Sequence, residues 1–179
     1  MDSKRITIRP GRVPSVWLPV WLLVGLLGGC ASAVVLDSTP PADFSLGGVW
    51  LLDPLDSDPA PKPRQLRKRG FGIAMAAQDF PVMYTRLMHI EQSADSVGIE
   101  YDDGSYRDLS WGIRRRGLWE VNAGWEETGE LLILSEAADA KAKEVLTLSA
   151  NGQRLVVQIE VSADGQTLVL VRTFTRQSR

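Results

Sequence analysis

The feature that most constrains this chain is a run of alternating side chains near its C-terminus. Leu155, Val157, Ile159 and Val161 fall on one face, and Arg154, Gln158 and Glu160 on the other. A period of two is that of a half-buried β-strand, because successive Cβ atoms point to opposite sides of a sheet. Asn151-Gly152 precedes the run and Asp164-Gly165 follows it. Such pairs tolerate the positive φ of tight hairpin turns, so the strands on either side fold back antiparallel.

The same logic extends upstream. Phe44 to Leu52 reads as the first strand, and Val97, Ile99 and Tyr101 alternate up to an Asp102-Asp103-Gly104 turn. Leu118 to Trp125, Glu130 to Ser135, Glu144 to Ser149 and Thr167 to Thr175 are further strands, and Arg114-Arg115-Arg116 is read as a basic loop between two of them. Between the first strand and the rest lies the Pro- and Asp-rich stretch Asp53 to Pro63, an irregular connection. Leu66, Ile73, Ala76, Ala77 and Phe80 then recur near helical spacing and predict one short helix ended by Pro81. The fold expected is mainly β: an antiparallel meander of about eight or nine strands that curls into a barrel or half-barrel around that helix. Polar residues on alternate positions argue against a buried parallel sheet and against a lipid-facing barrel.

The N-terminus has a different character. Lys4, Arg5, Arg9 and Arg12 precede an uncharged apolar run from Val13 to Gly29, the arrangement of a secretory leader. A retained membrane anchor and an ordinary cleaved leader are the competing readings; Pro14, Pro19 and the lack of a basic cluster after the run argue against the anchor. Leu27-Gly28-Gly29-Cys30 resembles the lipobox of bacterial lipoproteins. That resemblance implies removal of residues 1–29 and acylation of Cys30 with chains such as palmitate. Residues 30–43 would be the lipidated cysteine and a flexible tether, and residues 44–179 one barrel-like domain. Ala31 and Ser32 stand where an aspartate would imply inner-membrane retention. The implied address is therefore the outer membrane, with the domain facing the periplasm. Each buried acyl methylene contributes about 0.8 kcal/mol, so several chains anchor stably where one does not.

Gly48-Val49-Trp50 on the first strand resembles the Gly-x-Trp signature of lipocalin-like barrels. In that family the tryptophan closes one barrel end and an arginine near the last strand packs across its ring. The resemblance implies that role for Arg172, which shares a face with Leu168, Leu170 and Phe174. The lipocalin Thr-Asp-Tyr turn motif is absent, and the insertion after the first strand departs from the pattern.

Composition narrows the function classes. Cys30 is the only cysteine, so no disulfide framework, cysteine nucleophile or Cys-rich metal site is available. The first 29 residues hold four of the 20 basic and one of the 22 acidic side chains, leaving 16 against 21 and a net charge of −5. Nucleic-acid binding has no electrostatic basis in that balance. One basic run, Lys62 to Arg69, is a solvated segment or a docking patch.

No catalytic, metal-binding or cofactor-binding motif stands out. His89, with Glu91 or Asp95 to orient it, is the sole acid–base candidate, and no nucleophile motif accompanies it. Asp53, Asp56, Asp58, Asp102 and Asp103 do not spell a calcium loop and suit turns for backbone reasons. The aromatic residues carry the best ligand argument. Trp50, Trp111, Trp119 and Trp125, with Arg172, are the candidate lining of an apolar pocket, Tyr101 and Tyr106 lying nearby. The expected function is a non-enzymatic envelope lipoprotein that binds a hydrophobic small molecule. The alternative is a pocketless accessory subunit that acts through contacts with an envelope protein.

Overall fold

The computed structural model describes residues 35–42 and 44–177. The leader and Cys30 lie outside the described residues. Ten antiparallel strands form one sheet: β1 (Gly48–Leu52), β2 (Leu87–Gln92), β3 (Ser96–Tyr101), β4 (Tyr106–Ser110), β5 (Gly112–Arg116), β6 (Trp119–Trp125), β7 (Leu131–Glu136), β8 (Ala140–Leu148), β9 (Arg154–Ala163) and β10 (Gln166–Arg176). The ladder runs β4-β3-β2-β1-β10-β9-β8-β7-β6-β5. First and last strands therefore pair, Trp50 opposite Arg176, and the sheet curls into a barrel that is complete except between β4 and β5. Only Trp111 separates those two strands in sequence, yet they form opposite ends of the ladder.

The alternation read from the sequence is the burial pattern found. Leu155, Val157, Ile159 and Val161 of β9 are buried, and Arg154, Gln158 and Glu160 are exposed. The turn into β10 places Asp164 at φ 51° and Gly165 at φ 70°, the left-handed pair that a two-residue hairpin needs. The strand count exceeds eight or nine because β5 carries Arg114-Arg115-Arg116, and a strand with four exposed residues of its five has no alternation to recognise.

In place of one helix there are two, α1 (Pro63–Arg69) and α2 (Phe71–Ala76), followed by 3-10 turns at Ala77–Asp79 and Pro81–Met83. Gly70, at φ 155°, breaks the helical run. Leu66, Ile73, Ala74, Ala76 and Ala77 face the barrel and are buried. The pair closes the end reached by the β5–β6, β7–β8 and β9–β10 turns. The amide of Gly72 donates to Asp164 Oδ2 at 2.9 Å, fixing α2 to the β9–β10 turn.

The opposite end is closed by aromatic side chains. Phe44 meets Trp125 edge-on at 4.3 Å, and Trp125 meets Trp111 at 5.5 Å. The segment before β1 also reaches this end. Asp37 and Trp125 exchange backbone hydrogen bonds of 3.0 and 2.8 Å. Residues 35–177 form one unit with a continuous apolar core.

Candidate functional site

Large apolar side chains prefer burial, so a group of exposed ones is informative. Phe71 is 78% exposed, Leu118 83% and Met75 50%. All three border a cleft of about 790 Å3 at the helix-capped end, between α2 and the turns β5–β6, β7–β8 and β9–β10. Ala76, Ala137, Ala138, Ala140 and Ala163 leave room there, while Gln78, Asp79, Arg115, Asp139 and Asp164 supply a polar rim. A volume of this size suits a small-molecule site of roughly 300–1,000 Å3.

The floor of the cleft is aromatic. Trp119 lines it, donates Nε1–H to Asp79 Oδ2 at 2.9 Å and meets Phe80 edge-on at 5.3 Å. Below Phe80 lies the guanidinium of Arg107, 5.7 Å from the ring centre. Arg107 comes from β4, across the barrel from Glu144 of β8, and the two form a fully buried ion pair. Burial by itself would depress the Arg107 guanidinium, but Glu144 and Tyr101 beside it hold it above its usual value. Burial pushes the Tyr101 phenol up to about 12.

A second cleft of about 440 Å3 follows the gap between β4 and β5, with Tyr106, Leu109, Val121 and Arg114 to Arg116 on its walls. Arg116 Nη2 reaches across the gap to the carbonyl of Tyr106 at 3.4 Å.

The sequence-derived candidates separate into two groups. Trp119 belongs to the cleft. Trp50, Trp111 and Trp125 are buried, Trp111 and Trp125 in the aromatic closure of the far end. Arg172 does not meet Trp50. Its Nη1 and Nη2 donate to the carbonyls of Asp58 and Thr85, each at 2.8 Å, which ties the loop after β1 to β10. The arginine on the Trp50 ring is Arg176, 4.5 Å from its centre. Residues 172, 174 and 176 share a strand face, and the register decides which of them stands opposite Trp50.

His89 faces outward on β2, 3.9 Å from Glu100 on β3, with both side chains accessible to solvent. Asp56 pairs with Arg154 at 2.7 Å, and Asp58 Oδ2 accepts from the amide of Val171. Among the described residues, no group of His, Cys, Asp and Glu is placed to hold a metal ion. In the Lys62–Arg69 run, Leu66 docks on the core and the basic residues are exposed.

Sequence reading missed Arg107, Glu144 and Phe80, which packs behind Trp119 of the cleft floor. The signal was present for the first two: Arg107 shares a face with Leu109, and Glu144 with Ala142 and Leu146. A charge at an inward strand position is costly unless it is paired.

No family model and no curated protein matches the sequence. Solved structures do match in fold. Apo lipid binding protein 8 of Caenorhabditis elegans has a TM-score of 0.50 at 16% identity, over 76% of this chain and 100% of that one. A variant of the fluorescent protein UnaG has a TM-score of 0.50 at 16% identity, over 75% of this chain and 97% of that one. Zebrafish ileal bile acid-binding protein with cholic acid has a TM-score of 0.46 at 18% identity, covering 73% and 98%. The shared architecture is the nearly closed ten-stranded antiparallel barrel with a short helix pair, a fatty-acid-binding-protein-like and lipocalin-like fold.

Proposed function

We propose that this chain is a lipid-anchored protein of the cell envelope whose barrel binds a hydrophobic small molecule through the cleft beside α2. The observation that carries the binding role is the cleft itself. Phe71, Met75 and Leu118 hold apolar surface in water around an aromatic floor, a state that ligand burial relieves at about 25 cal/mol per Å2. The fold shared with lipid binding protein 8 is consistent with it. His89, paired with Glu100 on the outer face and not part of the cleft lining, gives catalysis no support. The anchor and the outer-membrane, periplasm-facing address rest on the leader and Cys30.

The accessory-subunit reading is favoured by a different observation. Leu155, Ile159 and Val161, on the inner wall, have no surface open to water, as in a packed core. Phe71 and Leu118 would then be a contact patch for an envelope protein.

One experiment separates the two. The chain is purified from a periplasm, weighed by native mass spectrometry, and extracted with organic solvent. A stoichiometric lipid or pigment that is lost in Leu118→Asp supports the carrier. An empty barrel that binds no added fatty alcohol or acid ends the carrier reading in favour of the subunit. The anchor is tested by acyl labelling: Cys30→Ser should abolish incorporation, and unchanged labelling would rule out lipidation at Cys30.

A further inference from the structure

Behind Trp119 of the cleft floor and the buried Phe80 packed on it lies a polar cluster that fold stability does not explain. Arg107, Glu144 and Ser135 are each 2% exposed. Arg107 Nη1 sits 2.7 Å from one oxygen of Glu144 and 2.8 Å from the other. Both contacts fall on one nitrogen, so the two-nitrogen fork that makes arginine–carboxylate pairs strong is not formed. The Oε1 contact is close but lies off the N–H direction. Arg107 Nε, Glu144 Oε1 and Ser135 Oγ are left buried with no hydrogen-bond partner. A half-satisfied ionic pair is a worse core than apolar side chains of the same volume.

The charges around it cancel. Arg107 and Glu144 are one of each sign; the next cation out, Arg116, has the carboxylate of Asp79 acting on it in turn. A group entering here meets an N–H donor, a carboxylate acceptor and a hydroxyl, within a site of no net charge. A ligand carboxylate would face Glu144 and be repelled. A hydroxyl or ester head would satisfy the free donor and acceptor without adding charge.

We propose that Arg107, Glu144 and Ser135 form the polar end of the ligand site and select an apolar chain with an uncharged, hydrogen-bonding head over a free fatty acid. This rests on the carrier reading above. The chain occupies the cleft, and the head passes between Phe80 and Trp119, whose edge-to-face pair swings aside to admit it.

The test uses residues 35–179 and three probes that share one acyl chain: myristyl alcohol, monomyristoylglycerol and myristic acid. Binding is read by displacement of Nile red and by native mass spectrometry at neutral pH. The native protein should prefer the alcohol and the glyceride over the acid by about tenfold or more. Glu144→Gln leaves Arg107 an uncompensated cation and should swing the ratio toward myristate by a similar factor. Equal or tighter binding of myristate by the native protein would overturn the proposal, as would an unaltered ratio in Glu144→Gln. Should that variant fail to fold, the double variant Arg107→Met, Glu144→Leu replaces the pair by apolar groups. It should keep chain binding and lose discrimination; discrimination retained would overturn the proposal. Binding of none of the probes sinks the carrier reading and this one with it, whereas binding with the acid preferred sinks this one alone.

Discussion

At the scale of single residues, Trp50 shows what a buried tryptophan on the first strand does. It is fully buried, its Nε1–H donates to the Leu46 carbonyl at 2.7 Å, and the Arg176 guanidinium lies over its ring. Arg176 Nη1 also donates to the carbonyl of Gly47 at 2.8 Å, so ring and guanidinium together fix the entry to β1. Trp50→Ala should cost about 3–5 kcal/mol in denaturant unfolding, and Arg176→Ala about 1–2 kcal/mol from the ring and carbonyl contacts. A loss below about 1 kcal/mol for Trp50→Ala would contradict its place in the core. The tryptophan was legible in Gly48-Val49-Trp50. Its arginine was not, because Arg172 and Arg176 share one face of the last strand and only the alignment of β10 on β1 tells them apart. Tyr101 makes a second prediction. Its folded-state pKa of about 12 stands above the ordinary value of 10.0 because of burial, so its contribution is complete below pH 10 and is lost as pH rises toward about 12. Tyr101→Phe should flatten the fall of unfolding free energy across that window; an equally steep fall would mean that Tyr101 is not the group responsible.

At the scale of elements, the helix pair is held more lightly than the strands. A Cβ on Gly72 would collide with Asp164 Oδ2, so glycine is what lets α2 come close enough to share that carboxylate. Asp164→Gly keeps the left-handed turn available and removes only the acceptor. It should leave global melting nearly unchanged while amide exchange in α2 speeds up about tenfold, the equivalent of about 1.4 kcal/mol. Unchanged exchange would show that α2 is held by its apolar face alone. The elements most readable in sequence were those with one wet and one dry face, such as β9. β5 and the Gly70 break were hidden for opposite reasons. β5 has almost no dry face, because it borders the gap, and Gly70 sits inside an apolar spacing that continues past it.

At the scale of the molecule, the meander predicted from hairpin signals is the barrel observed, and its polar interior is where the sequence fell short. Alternation reports which side of a strand is covered, but which inward side chains from β3, β4 and β8 meet depends on curvature that no local window contains. The missing β4–β5 ladder has a consequence for chain connectivity. The Gln177 amide donates to the Val49 carbonyl at 2.8 Å, so the end of the last strand lies beside the first. A circular permutant that begins at Trp111, ends at Ser110 and joins the old ends through a flexible linker would meet its neighbours in the order of translation, every ladder linking consecutive strands. Such a permutant should fold faster than the parent, as contacts between distant parts of the chain are what slow a barrel. If it folds no faster in stopped-flow refolding, pairing of β1 with β10 is not the slow step in the original molecule.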